Sequence, residues 1–217
     1  MVVLRSWWSA MLIVVALAAA SIVAFPGSWE QVLRAAGWSL VFNDPLTPAD
    51  IIVISQDSEG AGVLLAADLV AAGIATKVAI FTDPPTGEDL EFIRRGLPYE
   101  DVAARQVRQL KSLGIKDITE IPRDEAGSEG EAQVLARWCE QRQIRSLVFV
   151  AARDHSRRLH RIFNRAMKDH STLVAVAAEH YSEFDPDIWW KTRTGIRKEI
   201  IEFEKLILDI VRHPLAF

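Results

Sequence analysis

The residues best suited to chemistry gather just after the apolar run 148–152: Arg153, Asp154, His155, Arg157 and Arg158. From Leu159 the apolar residues return at helical spacing (Leu159, Ile162, Phe163, Ala166), so the stretch reads as a buried strand feeding a helix. A helix N-terminus carries partial positive charge and favours Asp or Glu, yet cations crowd this first turn. Asp154 supplies one N-cap carboxylate, too little to balance them. A bound anion would resolve the conflict, because backbone N–H groups and arginines would face it together. A solvated basic face, with Asp154 paired to Arg157, is the plainer alternative. Helical geometry puts His155 and Arg158 above the buried face, and Arg157, Arg161 and Arg165 at i+4 steps on the opposite, wet face. His155 and Arg158 are therefore the leading site candidates.

The elements that must position them follow from five apolar runs, at 51–55, 78–82, 118–121, 147–151 and 173–177. Helical patterns lie between them near 62–72, 102–113, 129–141 and 156–167. This alternation predicts an α/β fold, a doubly wound, mostly parallel five-stranded sheet with helices on both faces. Such sheets bind ligands beyond the carboxyl ends of the strands, where strand order reverses. With the order 3-2-1-4-5, the loop Ser55-Gln56-Asp57-Ser58-Glu59 meets the Arg153–His155 loop. Asp57 and Glu59 then confront Arg153, His155 and Arg158 across one crevice; alternatively, Asp57 or Ser58 merely caps the next helix.

Other loops at that edge carry weaker signals. The segment from Thr82-Asp83-Pro84-Pro85-Thr86-Gly87 to about Asp101 reads as a long polar loop and a candidate lid. Ser128 and Glu131 have capping-box spacing, which gives Glu131 a structural role and makes a site role secondary. His160 and His170 share no helix face with His155, so no metal-ligand cluster is assembled and no metal is expected. Phosphate-loop, GxGxxG and nucleophile-elbow motifs are missing from the sequence, so it names no cofactor.

At 217 residues, half of them apolar, the chain can bury one good core, and its net charge of −4 argues against nucleic acid as a partner. Cys139, the single cysteine, falls within a helical pattern and reads as a buried structural thiol. Residues 7–25 carry no charge, long enough to cross a hydrocarbon core, with Trp7 and Trp8 suited to the headgroup level. A cleaved signal peptide is the rival, since Arg5 and Ala18-Ala19-Ala20 fit one. The apolar run continues past those alanines, which favours a retained anchor in the lipid bilayer, with the globular part outside the cytoplasm. The expected organisation is an anchor at 1–26, an amphipathic linker at 27–48 and a Rossmann-like domain at 49–217. From Ile188 a long closing helix is expected, broken near Gly195. Its seam Ile196, Ile200, Phe203, Ile207 and Ile210 would pack on the sheet, with Lys198–Glu202 as an outward i+4 pair.

Over about residues 29–214 the chain resembles the YdcF/SanA/ElyC-type envelope proteins. The likeness is carried by Ala49-Asp50-Ile51-Ile52-Val53, the Ala66/Leu69/Gly73 helix, Glu131-Ala132, and the strand leading to His155 and Arg158 before a Trp- and Arg-rich tail. It implies a membrane-anchored Rossmann-like protein of the inner membrane, serving cell-envelope or peptidoglycan-related processes. Members usually place glycines after the first two strands, where this chain has Ser55-Gln56-Asp57 and Thr82-Asp83. Two functions suit these residues. One is a module binding an anionic small molecule or lipid-linked precursor through Ser55, Glu131, Arg153, Asp154 and Arg158. The other is an enzyme on a phosphorylated or lipid-linked substrate, with His155 as general acid or base and Asp57 or Glu59 orienting it.

Overall fold

The computed structural model describes residues 27–123 and 127–214; the expected anchor at 1–26 lies outside them. Five strands form one sheet: β1 (Ile51–Ile54), β2 (Lys77–Thr82), β3 (Asp117–Pro122), β4 (Ser146–Ala151) and β5 (Leu173–Ala178). The order is β3-β2-β1-β4-β5, as expected, and every pairing is parallel. The central strand β1 is buried along its whole length, which explains why Ile51 to Ile54 show no polar alternation.

Seven α-helices accompany the strands among the described residues: α1 (Ser28–Leu40), α2 (Glu59–Ala71), α3 (Gly87–Arg94), α4 (Val102–Ser112), α5 (Gly127–Arg142), α6 (Ser156–Ala166) and α7 (Arg193–Arg212). Successive strand residues point to opposite faces. Ile52, Ile54, Ile80 and Val150 pack with Val63 and Leu69 of α2 and Leu110 of α4. Ile51, Val53, Phe81 and Phe149 pack with Leu135 and Cys139 of α5 and Leu159 and Phe163 of α6. Cys139 is fully buried, and that burial pushes its thiol up to about 12, so it is inert packing.

The linker does more than connect. Asn43 Oδ1 accepts from the Ala178 N–H (2.7 Å) and Asp44 Oδ2 from the Val176 N–H (2.8 Å), so the outer side of β5 is covered rather than left open. Leu40, Val41, Ala178, Phe184 and Leu206 make a third small core where α1, β5 and α7 meet.

Three expectations are corrected. The presumed lid loop contains α3, begun by a capping box in which the Asp89 N–H donates to Thr86 Oγ1 (3.2 Å) and the Thr86 N–H to Asp89 Oδ2 (2.7 Å). The presumed wet arginines are covered. Arg157 donates to the carbonyls of Ser39 and Val41 in and just beyond α1, while Arg161 and Arg165 pair with Asp209 of α7. Most consequentially, α7 is reversed. Its buried seam is Gly195, Glu199, Glu202, Leu206 and Asp209, whereas Ile196, Ile200, Phe203, Ile207 and Ile210 face outward. The helix starts where Thr192 Oγ1 accepts from the Gly195 N–H (2.9 Å). A Cβ on Gly195 would stand 2.3 Å from the Trp189 carbonyl oxygen, so this close approach requires glycine.

Candidate functional site

Two polar clusters lie beyond the carboxyl ends of the strands, joined by the first turns of α5. In the first, Glu131 points from α5 to the loop after β1. Its Oε1 accepts from the Gln56 N–H (3.1 Å) and its Oε2 from the Ser55 hydroxyl (3.3 Å). The expected capping box with Ser128 is therefore not formed; Ser128 lies inside α5 and its hydroxyl accepts from Arg158 Nη1 (3.2 Å). Burial raises the Glu131 carboxyl, the Gln56 N–H and Arg123 oppose this and the charge of Asp57 adds to it, leaving it at about 7. Arg123 grips Asp83 in a two-point pair (2.7 and 2.8 Å) and brings Nη1 to 3.5 Å from Glu131, while Gln56 also donates to Asp83.

The loop that carries Ser55 is tightly built. The Ser58 hydroxyl donates to the Ser55 carbonyl (2.6 Å), and a Cβ on Gly62 would stand 2.0 Å from Ser58 Oγ. Glu59 takes φ 44°, a strained conformation for a residue with a side chain, at the point where the 3-10 turn Gln56–Ser58 passes into α2.

The second cluster surrounds His155. Its Nε2 lies 3.1 Å from Glu202 Oε1 and its Nδ1 3.3 Å from Asp154 Oδ1, with the side chain only 15% exposed. Burial disfavours the imidazolium, but the two carboxylates outweigh that and push His155 up to about 9. Burial would likewise raise Glu202, yet His155, Arg158 and Lys205 hold it down at about 2. Arg158 donates to Glu202 Oε2 through Nη2 (2.9 Å) and Nε (3.2 Å), and Lys205 to Oε1 (2.6 Å). Asp154 and Glu199 are buried with no hydrogen bond to either carboxylate. Burial first and the Asp154 charge second push Glu199 up to about 7, while His155 and Lys198 (4.0 Å) overcome burial and hold Asp154 below the usual carboxylate range. Lys198 and Glu202 thus turn inward to different partners instead of forming an outward pair.

Between the start of α5, α6 and α7 lies a cavity of about 300 Å³ lined by Ser128, Arg158, Lys205 and Arg212, with Glu129 and Asp209 on its wall. Glu129, Asp209 and His213 could offer ligand atoms within 4.8 Å of one another. Arg165 already takes the position a cation would hold, at 2.7 Å from both Glu129 Oε1 and Asp209 Oδ1.

The residues singled out in the sequence thus divide. Ser55, Asp57 and Glu131 belong to the Arg123 cluster; Asp154, His155 and Arg158 to the Glu202 cluster. Arg153 lies against α1, its guanidinium 5.4 Å over the Trp38 ring and its N–H on Glu179 Oε1 (3.1 Å). Glu59 is on the α4 side, its carbonyl accepting from Gln106 (3.5 Å). Asp83, Arg123, Glu199 and Glu202 were not recognised from the sequence. The recurrence of Glu199, Glu202 and Asp209 at helical spacing, matching His155, Arg158, Arg161 and Arg165, was a readable signal for the last two.

Sheet order and helix placement define a Rossmann-like α/β domain. No protein-family profile and no curated protein matches the chain.

Proposed function

We propose that this is a membrane-anchored envelope protein whose domain binds an anionic ligand beside α6 and α7, in the service of cell-envelope or peptidoglycan-related assembly. The observation that carries the ligand class is electrostatic: two carboxylates held ionised, Glu202 and Asp154, answer four cations, His155, Arg158, Lys198 and Lys205. Glu199, near 7, gives only part of a negative charge at neutral pH. On the wall of the adjoining cavity Glu129 and Asp209 are already answered by Arg161 and Arg165, so Arg158, Lys205 and Arg212 leave positive charge in excess there, and the first turn of α5 adds its dipole. The anchor and the envelope setting are supported by the uncharged stretch 7–25 and by the likeness of residues described above.

Binding is favoured over catalysis by His155. An imidazolium with both nitrogens against carboxylates has no free nitrogen to accept a proton near neutral pH. The enzymatic reading keeps one observation in its favour: Glu131, near 7 beside the Ser55 hydroxyl, has the protonation range of a general acid or base.

Full-length protein in detergent, titrated calorimetrically with inorganic pyrophosphate and dodecyl phosphate, is expected to bind at least one of them. Lys205→Gln with Arg212→Gln should weaken that binding about tenfold, two modest charge contacts' worth. Both residues are solvent-facing, so the fold should persist. Absence of binding by the unaltered protein, or equal binding by the double variant, would reject this site.

A further inference from the structure

The outward face of α7 is apolar over its length, with Ile200 60% exposed, Ile207 45% and Val211 71%. It runs one residue, about 100° of turn, from the buried seam. Within α7, Glu199, Glu202 and Asp209 are all turned inward and Glu204 is the one exposed carboxylate, while Arg193, Arg197, Lys205 and Arg212 are exposed. The outer surface of this helix is therefore apolar and cationic at once. Trp29 of α1, 38% exposed, stacks edge-on against Trp190 (6.1 Å) next to Lys191, just before α7 begins. Trp29 is the second residue of α1 and follows the uncharged stretch 7–25 by four residues in sequence.

We infer that α7 lies in the plane of an anionic bilayer surface, its apolar face at the headgroup–acyl boundary and its arginines and lysines on acidic headgroups. An exposed apolar face of this extent needs cover. Apolar residues bordered by cations, with tryptophan at one end, match an interfacial helix better than a protein partner. Among the described residues no helix is long and apolar enough to cross a membrane, so α7 lies on the surface rather than through it. This docking shares the membrane setting of the proposed function but not its ligand. It would leave the cavity lined by Lys205 and Arg212 close to the headgroups, within reach of an anion carried on a lipid.

The test uses full-length protein mixed with vesicles of phosphatidylcholine and phosphatidylglycerol, with spin labels at Ile200→Cys, Ile207→Cys or, as a control on α4's side of the sheet, Leu113→Cys. Cys139 stays unlabelled because it is buried. Labels at 200 and 207 should favour lipid-soluble oxygen over a water-soluble nickel chelate several-fold more than the label at 113. Flotation of the protein with its 200 and 207 labels as open to nickel as 113 would overturn the docking while sparing the anchor. Protection of those labels from both reagents would overturn it too, in favour of cover by a second copy or by residues 1–26. Failure to float at all would reject docking and anchor together.

Discussion

At the scale of single residues, the decisive groups are carboxylates whose surroundings differ. Glu202 is held near 2 by three cations, whereas Glu131, equally buried, has one arginine at 3.5 Å and sits near 7. A carboxyl whose folded value lies above its unfolded value of about 4.5 costs stability as pH rises from there through 7. Glu131→Gln should therefore leave the melting temperature near pH 4.5 almost unchanged and raise it near pH 8, by about 1–2 kcal/mol equivalent. A melting temperature lowered equally at both pH values would mean that the hydrogen bonds to Ser55 and Gln56 outweigh the charge. The sequence marked Glu131 as a capping residue and, secondarily, as a ligand-binding candidate, but not what it would bond to. The partner it chose, the β1 loop, is seventy-five residues away for Gln56.

At the scale of elements, the two loops that frame the site obey different constraints. The β1 loop is fixed by close packing: Gly62 lets α2 press on Ser58 and Ile54, since an added Cβ would meet them at 2.0 and 2.8 Å. Gly62→Ala should destabilise the protein by about 2–3 kcal/mol through overpacking, and Ser58→Gly alongside it should recover part of that loss. Chemical denaturation of both variants reads the difference; an unaltered midpoint for Gly62→Ala would contradict the contact. The β4 loop is fixed by charge, since His155 at the end of the turn Arg153–His155 and Arg158 and Arg161 of α6 are held by Glu202 and Asp209 of α7. The strands and most helices were legible because their apolar residues follow periods of two or 3.6. Helix α3 was hidden by the prolines just before it and by having no buried face to impose an apolar period, with Leu90, Phe92 and Ile93 all exposed.

At the scale of the whole molecule, the His155–Glu202 pair ties the C-terminal helix to the centre of the sheet edge and sets a pH window. His155, raised to about 9 from an unfolded value near 6.5, gives its full stabilisation below 6.5 and loses it as pH rises through 9. Glu202, lowered to about 2, gives its stabilisation above about 4.5 and loses it as pH falls through 2. His155→Gln should cost on the order of 2–3 kcal/mol at pH 6, several degrees of melting temperature, and progressively less towards pH 10. A deficit that stays constant across that range would show that packing, not charge, holds the ring. The sequence by itself determined the alternation of strands and helices, the strand order expected of such a fold and the gathering of cations after β4, because these follow from local periodicity and chain order. Only the tertiary structure decided which face of α7 is inside. Its apolar and acidic seams have the same spacing, and the choice between them fell to the buried cations of α6, which demanded the carboxylates of Glu202 and Asp209 as neighbours.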